Sequence, residues 1–513
     1  MKKKLMPFLS LILSITMLTG CSGLDRISEL TAKEIPNSTP QIEVNEFKEI
    51  QEEKAKQKAN DETKQEDSDK PDDSDKPDDS DKPDDSDLTK HTDVKLNIWS
   101  YTEELSDVCT NYLANNPNSI IGDIIPTFIP TTNGSYQAAL DAALILGGDD
   151  APDIYMVEGS FASKYINGSM SSYAAPYGSF VTDFDKKLQY ADMAQYVLDG
   201  GTNQNGEIVG LGYQSDAGLF IYRRSIALNT WGSDDPDFVK QKIGGGSGSW
   251  DAYKDAAEDL KAKGYAIVSG PDDIWQVIDG SSTNSWDDDG VLYIDQDREG
   301  FLDIAKRIVD NGYSNETYAW TDEWFADMAA NGDKEVFGFF GPYWLIKYTM
   351  IWNCGGSKPG DGTYGDWAIC EPPVGYCWGG SWIIVNEKSV EEGKGDAIEE
   401  LIYYLTLDCT TDGLQYKAAC GEVDGYGNMT VASNTVMKMC SNSESFLNGQ
   451  DIFGVCVNAN TLSVGTGMCE GGTYISEYFL EHARAYAWGK VKKDKAIEDF
   501  KDDVRRETSL NVY

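Results

Sequence analysis

The chain has 513 residues, with 43 lysines and arginines against 86 aspartates and glutamates, and a formal net charge of -43. So acidic a chain repels phosphate backbones and anionic headgroups, which excludes nucleic acid and strongly anionic ligands and leaves neutral or cationic ones. Its length suffices for two domains, and its 2 histidines leave no material for a histidine triad or a histidine-rich metal site.

The N-terminus opens with Lys2, Lys3 and Lys4, followed by an apolar run over 5–18 that is too short to settle as a membrane span. Leu18-Thr19-Gly20-Cys21 closes it. A small residue ahead of a cysteine resembles a bacterial lipoprotein signal, in which the cysteine is diacylated and becomes the new N-terminus. The expectation is a cleaved signal peptide over 1–20, lipidation (palmitate) at Cys21, and a chain held on the extracytoplasmic face of the cell membrane. A single-membrane cell surface is the preferred setting, because 21–92 reads as a long tether. That stretch is rich in Glu, Lys, Gln and Asp, and Ser68-Asp69-Lys70-Pro71-Asp72-Asp73 begins a hexapeptide repeat seen three times. Such composition buries too little apolar surface to offset ordering entropy, and its aspartates repel one another. A disordered acidic linker is predicted, with room for a short helix over 43–58. It lacks the glycine-turned ligand loop that calcium needs.

Beyond residue 92 the composition changes: the tryptophans, most tyrosines and every cysteine except Cys21 lie there. Periodicity predicts a strand over 94–99, a helix over 104–115, a strand over 120–129, and a helix over 136–146 that ends at Gly147-Gly148. A short buried strand, Asp153 to Val157, opens at Glu158. Further on come a strand over 266–269, a helix over 250–263 with Ser249 as its cap, and a helix over 297–311 with Asp295 or Asp297 as its cap. Strands alternating with helices predict an α/β sheet covered on both faces.

Six segments in this order resemble the maltose-binding-protein-like family, the extracellular sugar-binding proteins of bacterial ABC importers. They are Leu96-Asn97-Ile98-Trp99, Gly148-Asp149-Asp150-Ala151-Pro152-Asp153-Ile154, Gly218-Leu219-Phe220-Ile221-Tyr222-Arg223-Arg224, Ser249-Trp250-Asp251-Ala252-Tyr253, Gly338-Phe339-Phe340-Gly341-Pro342-Tyr343-Trp344 and Gly379-Gly380-Ser381-Trp382-Ile383-Ile384-Val385. The resemblance implies a two-lobe periplasmic-binding-protein-like fold with a hinge and an interlobe cleft over 93–513. Lobe 1 is expected at about 93–213 and 373–435, lobe 2 at about 214–372 and 436–513. It also implies an oligosaccharide ligand and ABC permease subunits as partners, with the protein acting as a monomer and carrying no cofactor.

A sugar suits the residues on physical grounds as well. A pyranose offers an apolar C–H face and a rim of hydroxyls, so its receptor needs flat aromatic platforms beside planar hydrogen-bonding groups. Strand ends and glycine-rich loops, where open α/β sheets hold ligands, supply candidates: Trp99 and Tyr101, then Glu158, then Gln214 and Asp216. In the other lobe Trp275 follows a strand, at a place where the resemblance implies a stacking aromatic. The Gly341-Pro342-Tyr343-Trp344 segment resembles the family's Gly-Pro-Trp platform with one residue more, which leaves open whether Tyr343 or Trp344 stacks. Trp378 and Trp382 flank a glycine pair that would let a ligand approach the backbone. Tyr474 and Tyr478 begin a late helix resembling one that supplies a further ring, and Trp286 completes the candidates. Each of these aromatics has core packing as its alternative.

Other chemistries fit less well. Acidic pairs such as Glu103-Glu104 and Asp287-Asp288 evoke a glycosidase, yet acidic neighbours are common in so acidic a chain. Asp295 to Gly300 starts like a calcium loop, but its twelfth position is Lys306 where a bidentate glutamate is required. Gly244-Gly245-Gly246 lacks the lysine of a phosphate cradle. Ten cysteines, with Cys21 set aside and no C-x-x-C spacing, exclude zinc and redox motifs. Some of them bridge outside the cell, or most are buried thiols; pairing is open. The expected function is capture of an oligosaccharide, without catalysis. A peptide or cationic solute in the same fold, or surface glycan capture and sensing without transport, are the alternatives.

Overall fold

The computed structural model describes residues 94–513, apart from Asp424 and 464–466. The expected signal peptide, the Cys21 anchor, the acidic linker and the short helix over 43–58 lie outside the described residues. Two separate sheets organise the chain. The larger has the order β2-β1-β3-β10-β4, built from β1 (Val94–Ser100), β2 (Ile121–Phe128), β3 (Ile154–Glu158), β4 (Gly210–Leu211) and β10 (Ser381–Val385). Strands β1, β2 and β3 run parallel, and β10 is antiparallel to both β3 and β4. The smaller sheet has the order β8-β5-β9, from β5 (Leu219–Arg223), β8 (Gly338–Gly341) and β9 (Trp367–Cys370), with both neighbours antiparallel to β5. Two short hairpins complete the strands, β6 (Asp287–Asp288) with β7 (Val291–Leu292), and β11 (Ser443–Glu444) with β12 (Gln450–Asp451).

Local chemistry explains these elements. The β3 residues Ile154 to Val157 are all buried, as a central strand covered on both faces should be. Pro126 sits in β2, the edge strand, where its missing N–H costs no ladder bond. Helix Gln296–Asp310 is capped by Asp295, whose carboxylate accepts from the N–H groups of Asp297 and Arg298 at 2.9 Å each. Asp295 also pairs with Arg298 at 3.1 Å and accepts from Ser282 Oγ at 2.8 Å. Its oxygens are therefore committed to a cap and an ion pair. Helix Asp251–Lys261 starts one residue later than the sequence suggests, and Ser249 Oγ accepts from Asp251 N at 3.2 Å. The expected strand over 266–269 shrinks to one parallel bridge between Ala266 and Val336, because Gly270-Pro271 turns at once into helix Pro271–Ser281.

The larger sheet is pinned by Asp153, which is 2% exposed. Its carboxylate accepts from Asn97 N at 2.8 Å, Ser389 Oγ at 2.6 Å and Lys394 Nζ at 2.8 and 3.0 Å. One buried charge thus joins β1, the start of β3 and the helical segment after β10, and is fully paired as burial demands. The second hydrophobic cluster belongs to the smaller sheet's side, where Trp275, Trp286, Phe301, Phe479 and Phe500 pack together. Among the described residues no helix is long and apolar enough to cross a membrane.

The chain passes between the sheets at 212–218, from β4 to β5, and at 371–380, from β9 to β10. These passages lie side by side: Ala217 bridges Cys377, Gly218 N donates to Tyr376 O at 2.8 Å, and Trp378 N donates to Asp216 O at 3.1 Å. A third segment joins the first passage, with Gln214 bridging Val431 and Ala432 N donating to Tyr213 O at 3.0 Å. Paired extended strands between two bodies form a hinge.

Candidate functional site

The passages bring together the C-terminal ends of β1 and β3, the Trp378 turn and two loops of the smaller sheet. Gly379 and Gly380 hold positive φ, 91° and 116°, which only glycine adopts without strain. Gly159 N donates to Gly380 O at 2.8 Å, so the turn lies directly against the end of β3. Just beyond, Thr473 Oγ1 donates to Ser160 O at 2.9 Å. Ser169 N and Oγ each donate to the Glu470 carboxylate at 2.9 Å. The start of helix Gly472–Ala487 thus closes one side of the cleft.

Three tryptophans form its aromatic wall. Trp344 and Trp320 lie nearly parallel, with centroids 6.4 Å apart and 9° between planes. Trp378 stands edge-on to both, at 5.0 Å from Trp344 and 5.9 Å from Trp320. Trp344 Nε1 donates to Trp378 O at 3.1 Å. All three are half-buried, so ring surface remains for a partner. Trp320 has φ 68°, a strained conformation for a bulky residue that the surrounding rings hold in place.

Three carboxylates, Glu104, Glu158 and Asp216, lie close enough to interact electrostatically. Glu104 accepts from Tyr213 Oη at 2.7 Å and Gln214 Nε2 at 2.8 Å, and burial raises its carboxyl above the usual range. Glu158 accepts from the Ser160 hydroxyl and is likewise raised by burial. Asp216 is 8% exposed, and among the described residues its carboxylate has no hydrogen-bond partner. Burial first, then the charges of Glu158 and Glu104, push it up to about 7. The Lys347 ammonium donates to the carbonyls of Tyr426 and Asn428. Burial lowers it to about 8 against the pull of Glu104 and Glu444. A cavity of about 520 Å³ lies elsewhere, lined by Glu371, Met437, Cys440 and Phe453 among others. Among the described residues no group of three or more His, Cys, Asp or Glu is placed to hold a metal ion.

Of the residues singled out from sequence, Glu158, Gln214, Asp216, Trp344 and Trp378 meet here. Tyr101 adjoins them through its hydroxyl, 2.5 Å from Ser381 Oγ, although its ring is buried edge-on to Tyr136 and Phe161. Four rings need correcting to core residues. Trp275 stacks on Phe479 at 5.1 Å, and Trp286 lies under the Arg298 guanidinium at 4.1 Å. Tyr343 points inward to Glu444 Oε2 at 2.9 Å. Trp382 is 2% exposed and donates to Val197 O at 2.9 Å. Trp99 is half-buried against the larger sheet's core, Tyr478 against the smaller sheet's, and Tyr474 is exposed near the cleft rim. Sequence reasoning missed Trp320, whose signal was an aromatic pair, Tyr318 and Trp320, just ahead of a Thr321 cap. It also missed that Glu104 turns inward while Glu103 faces solvent, which separates the two members of that acidic pair.

Two sheets joined by a paired-strand hinge are the architecture of a solute-binding receptor. The chain belongs to the bacterial extracellular solute-binding protein family, whose model matches residues 123–408. No curated protein sequence matches it. Among solved structures, an extracellular solute-binding protein of family 1 superposes with a TM-score of 0.65 at 18% identity, over 82% of this chain and 100% of its own. The galacto-N-biose-/lacto-N-biose I-binding protein of the ABC transporter from Bifidobacterium longum gives 0.58 at 16%, covering 82% and 99%. The sugar-binding protein MalE from Xanthomonas citri gives 0.58 at 15%, covering 80% and 97%. At such identities the likeness establishes the shared fold.

Proposed function

We propose that this chain is the substrate-binding lipoprotein of an ABC transporter, capturing an oligosaccharide between its lobes and delivering it to a membrane permease. The observations that carry the reading are the half-buried wall of Trp320, Trp344 and Trp378 and the interacting carboxylates Glu104, Glu158 and Asp216 beside the hinge passages. Stacked rings take the C–H faces of a sugar, and carboxylates accept from its hydroxyls, each such bond being worth about 1.5–3 kcal/mol. A ligand touching both lobes favours the closed arrangement. Two of the structural relatives are described as sugar receptors, which supports the same ligand class. No reaction follows from this arrangement, and the chain acts as a monomer.

A cationic solute is the second reading, favoured by the Asp216 carboxylate, which has no hydrogen-bond partner among the described residues. Thermal-shift titration against neutral oligosaccharides, short peptides, amino acids and polyamines separates the two. A ligand at 100 times its Kd adds about 2.7 kcal/mol to stability. The expected result is a raised Tm with one family of neutral glycans. A shift confined to peptides or amines would replace the first reading with the second.

The anchor is proposed from the Leu18-Thr19-Gly20-Cys21 signal. Cells fed a clickable palmitate analogue should label the wild-type chain and fail to label Cys21→Ser. Equal labelling of both would remove Cys21 as the lipid site.

A further inference from the structure

We propose that Cys420 and Cys440 are a disulfide-forming pair that staples the loop carrying the third hinge segment. Their Sγ atoms are 3.5 Å apart, in van der Waals contact. Side-chain rotation must close about 1.5 Å more to reach a bond of about 2.04 Å. Cys420 follows the last turn of helix Leu414–Ala419 and Cys440 that of helix Asn434–Met439, so the two sulfurs meet between rigid ends. Both are half-exposed, whereas Cys109, Cys354, Cys370, Cys377, Cys409 and Cys456 are buried. Cys440 also lines the cavity of about 520 Å³ beside Met437 and Phe453, which gives a small reagent room to reach it. Burial and the adjacent Cys420 raise the Cys440 thiol to about 12, so the reaction is slow at neutral pH and quickens as pH rises.

The chemistry balances as thiol–disulfide exchange with a low-molecular-weight disulfide. One protein thiolate attacks oxidised glutathione, forming a mixed disulfide and releasing one glutathione thiolate. The second protein thiolate then displaces the other glutathione. Two thiols are oxidised, one disulfide is reduced, and both protons leave with the released glutathione. The ring so closed contains Thr430, whose carbonyl accepts from Ser215 N at 3.1 Å, and Ala432, bonded to Tyr213 at 3.0 Å. The bridge would therefore restrain the segment that pairs with the first passage between the lobes.

The test incubates the full chain with oxidised glutathione, alkylates the remaining thiols and maps unreduced peptides by mass spectrometry. The expected product is a peptide pair joined through Cys420 and Cys440, with two fewer alkylated thiols. By the loop-closure argument Tm should rise by roughly 3–5 °C over the reduced chain. Cys420→Ser and Cys440→Ala should each abolish both changes while melting within about 1 °C of the reduced wild type, the usual scale of a surface substitution. Stable glutathione on either cysteine, full alkylation of both, or a cross-link to any other cysteine overturns the pairing. A Cys420–Cys440 link with no rise in Tm overturns the staple.

Discussion

Alanine at Trp382 should lower folding stability by about 3–5 kcal/mol, whereas alanine at Trp378 should leave the fold nearly intact and weaken ligand binding at least about tenfold. The two rings stand four residues apart and differ in what surrounds them. Around Trp382 the chain has removed its own side chains. A Cβ at Gly200 would lie 2.5 Å from the ring, one at Gly380 2.7 Å, and those at Gly201 and Gly210 3.2 Å from Trp382 atoms. The glycines facing the ring carry no side chains to move into a hole left there, so much of the cavity persists, and the Val197 carbonyl loses its donor. Trp378 is half-buried against two other rings, and the bond it accepts from Trp344 is made by its backbone carbonyl, which alanine keeps. Urea denaturation of both variants, with calorimetric titration of the glycan found by thermal shift, separates the roles. Unchanged affinity in Trp378→Ala would remove that ring from the ligand site. An unaltered urea midpoint in Trp382→Ala would contradict the packing described here.

That pair also shows where sequence reading succeeds and where it stops. Strands β1 and β3 and helices such as Gln296–Asp310 were legible because their signals are local: apolar periodicity, a capping aspartate and a terminal glycine. The glycines before Trp382 were legible as a close approach, but what approaches was not. The structure fills that space with the Trp382 ring, from two residues further along the same strand, and with the Gly159 backbone, from the end of the neighbouring strand β3. Trp275 was misplaced for a similar reason. Its helix is buried on almost every side by helices Gln296–Asp310 and Gly472–Ala487, the latter about 200 positions away. Trp320 depends on a backbone conformation that its own sequence does not announce. Residue types that suit a sugar could thus be read from the chain, whereas which face each ring presents is set by non-local packing.

Raising the pH from about 4 to about 7 should destabilise the unliganded protein, and Asp216→Asn should remove the share of that loss which this carboxylate contributes. An unfolded aspartate releases its proton near pH 3.9, whereas Asp216 in the folded chain holds its proton up to about 7. Between those values the folded state binds more protons than the unfolded one, so stability falls as pH rises and levels off above the folded value. At 1.36 kcal/mol per unit the share from Asp216 is about 2–4 kcal/mol. Asp273, raised to about 7, and Asp327, raised to about 6, act in the same direction from the smaller sheet's side, so the difference between wild type and Asp216→Asn isolates the cleft. Melting curves from pH 4 to 8 should diverge, with the variant more stable at pH 8 and nearly equal at pH 4. A constant gap across that range would mean that Asp216 does not titrate there. The same carboxylate connects stability to capture. Ionised and without a hydrogen-bond partner among the described residues, it is a cost to the empty cleft, and a ligand that donates a hydroxyl or ammonium to it recovers that cost on binding. Affinity in the wild type should therefore increase less steeply with pH for a neutral glycan than for an amine-bearing one, and Asp216→Asn should erase the difference.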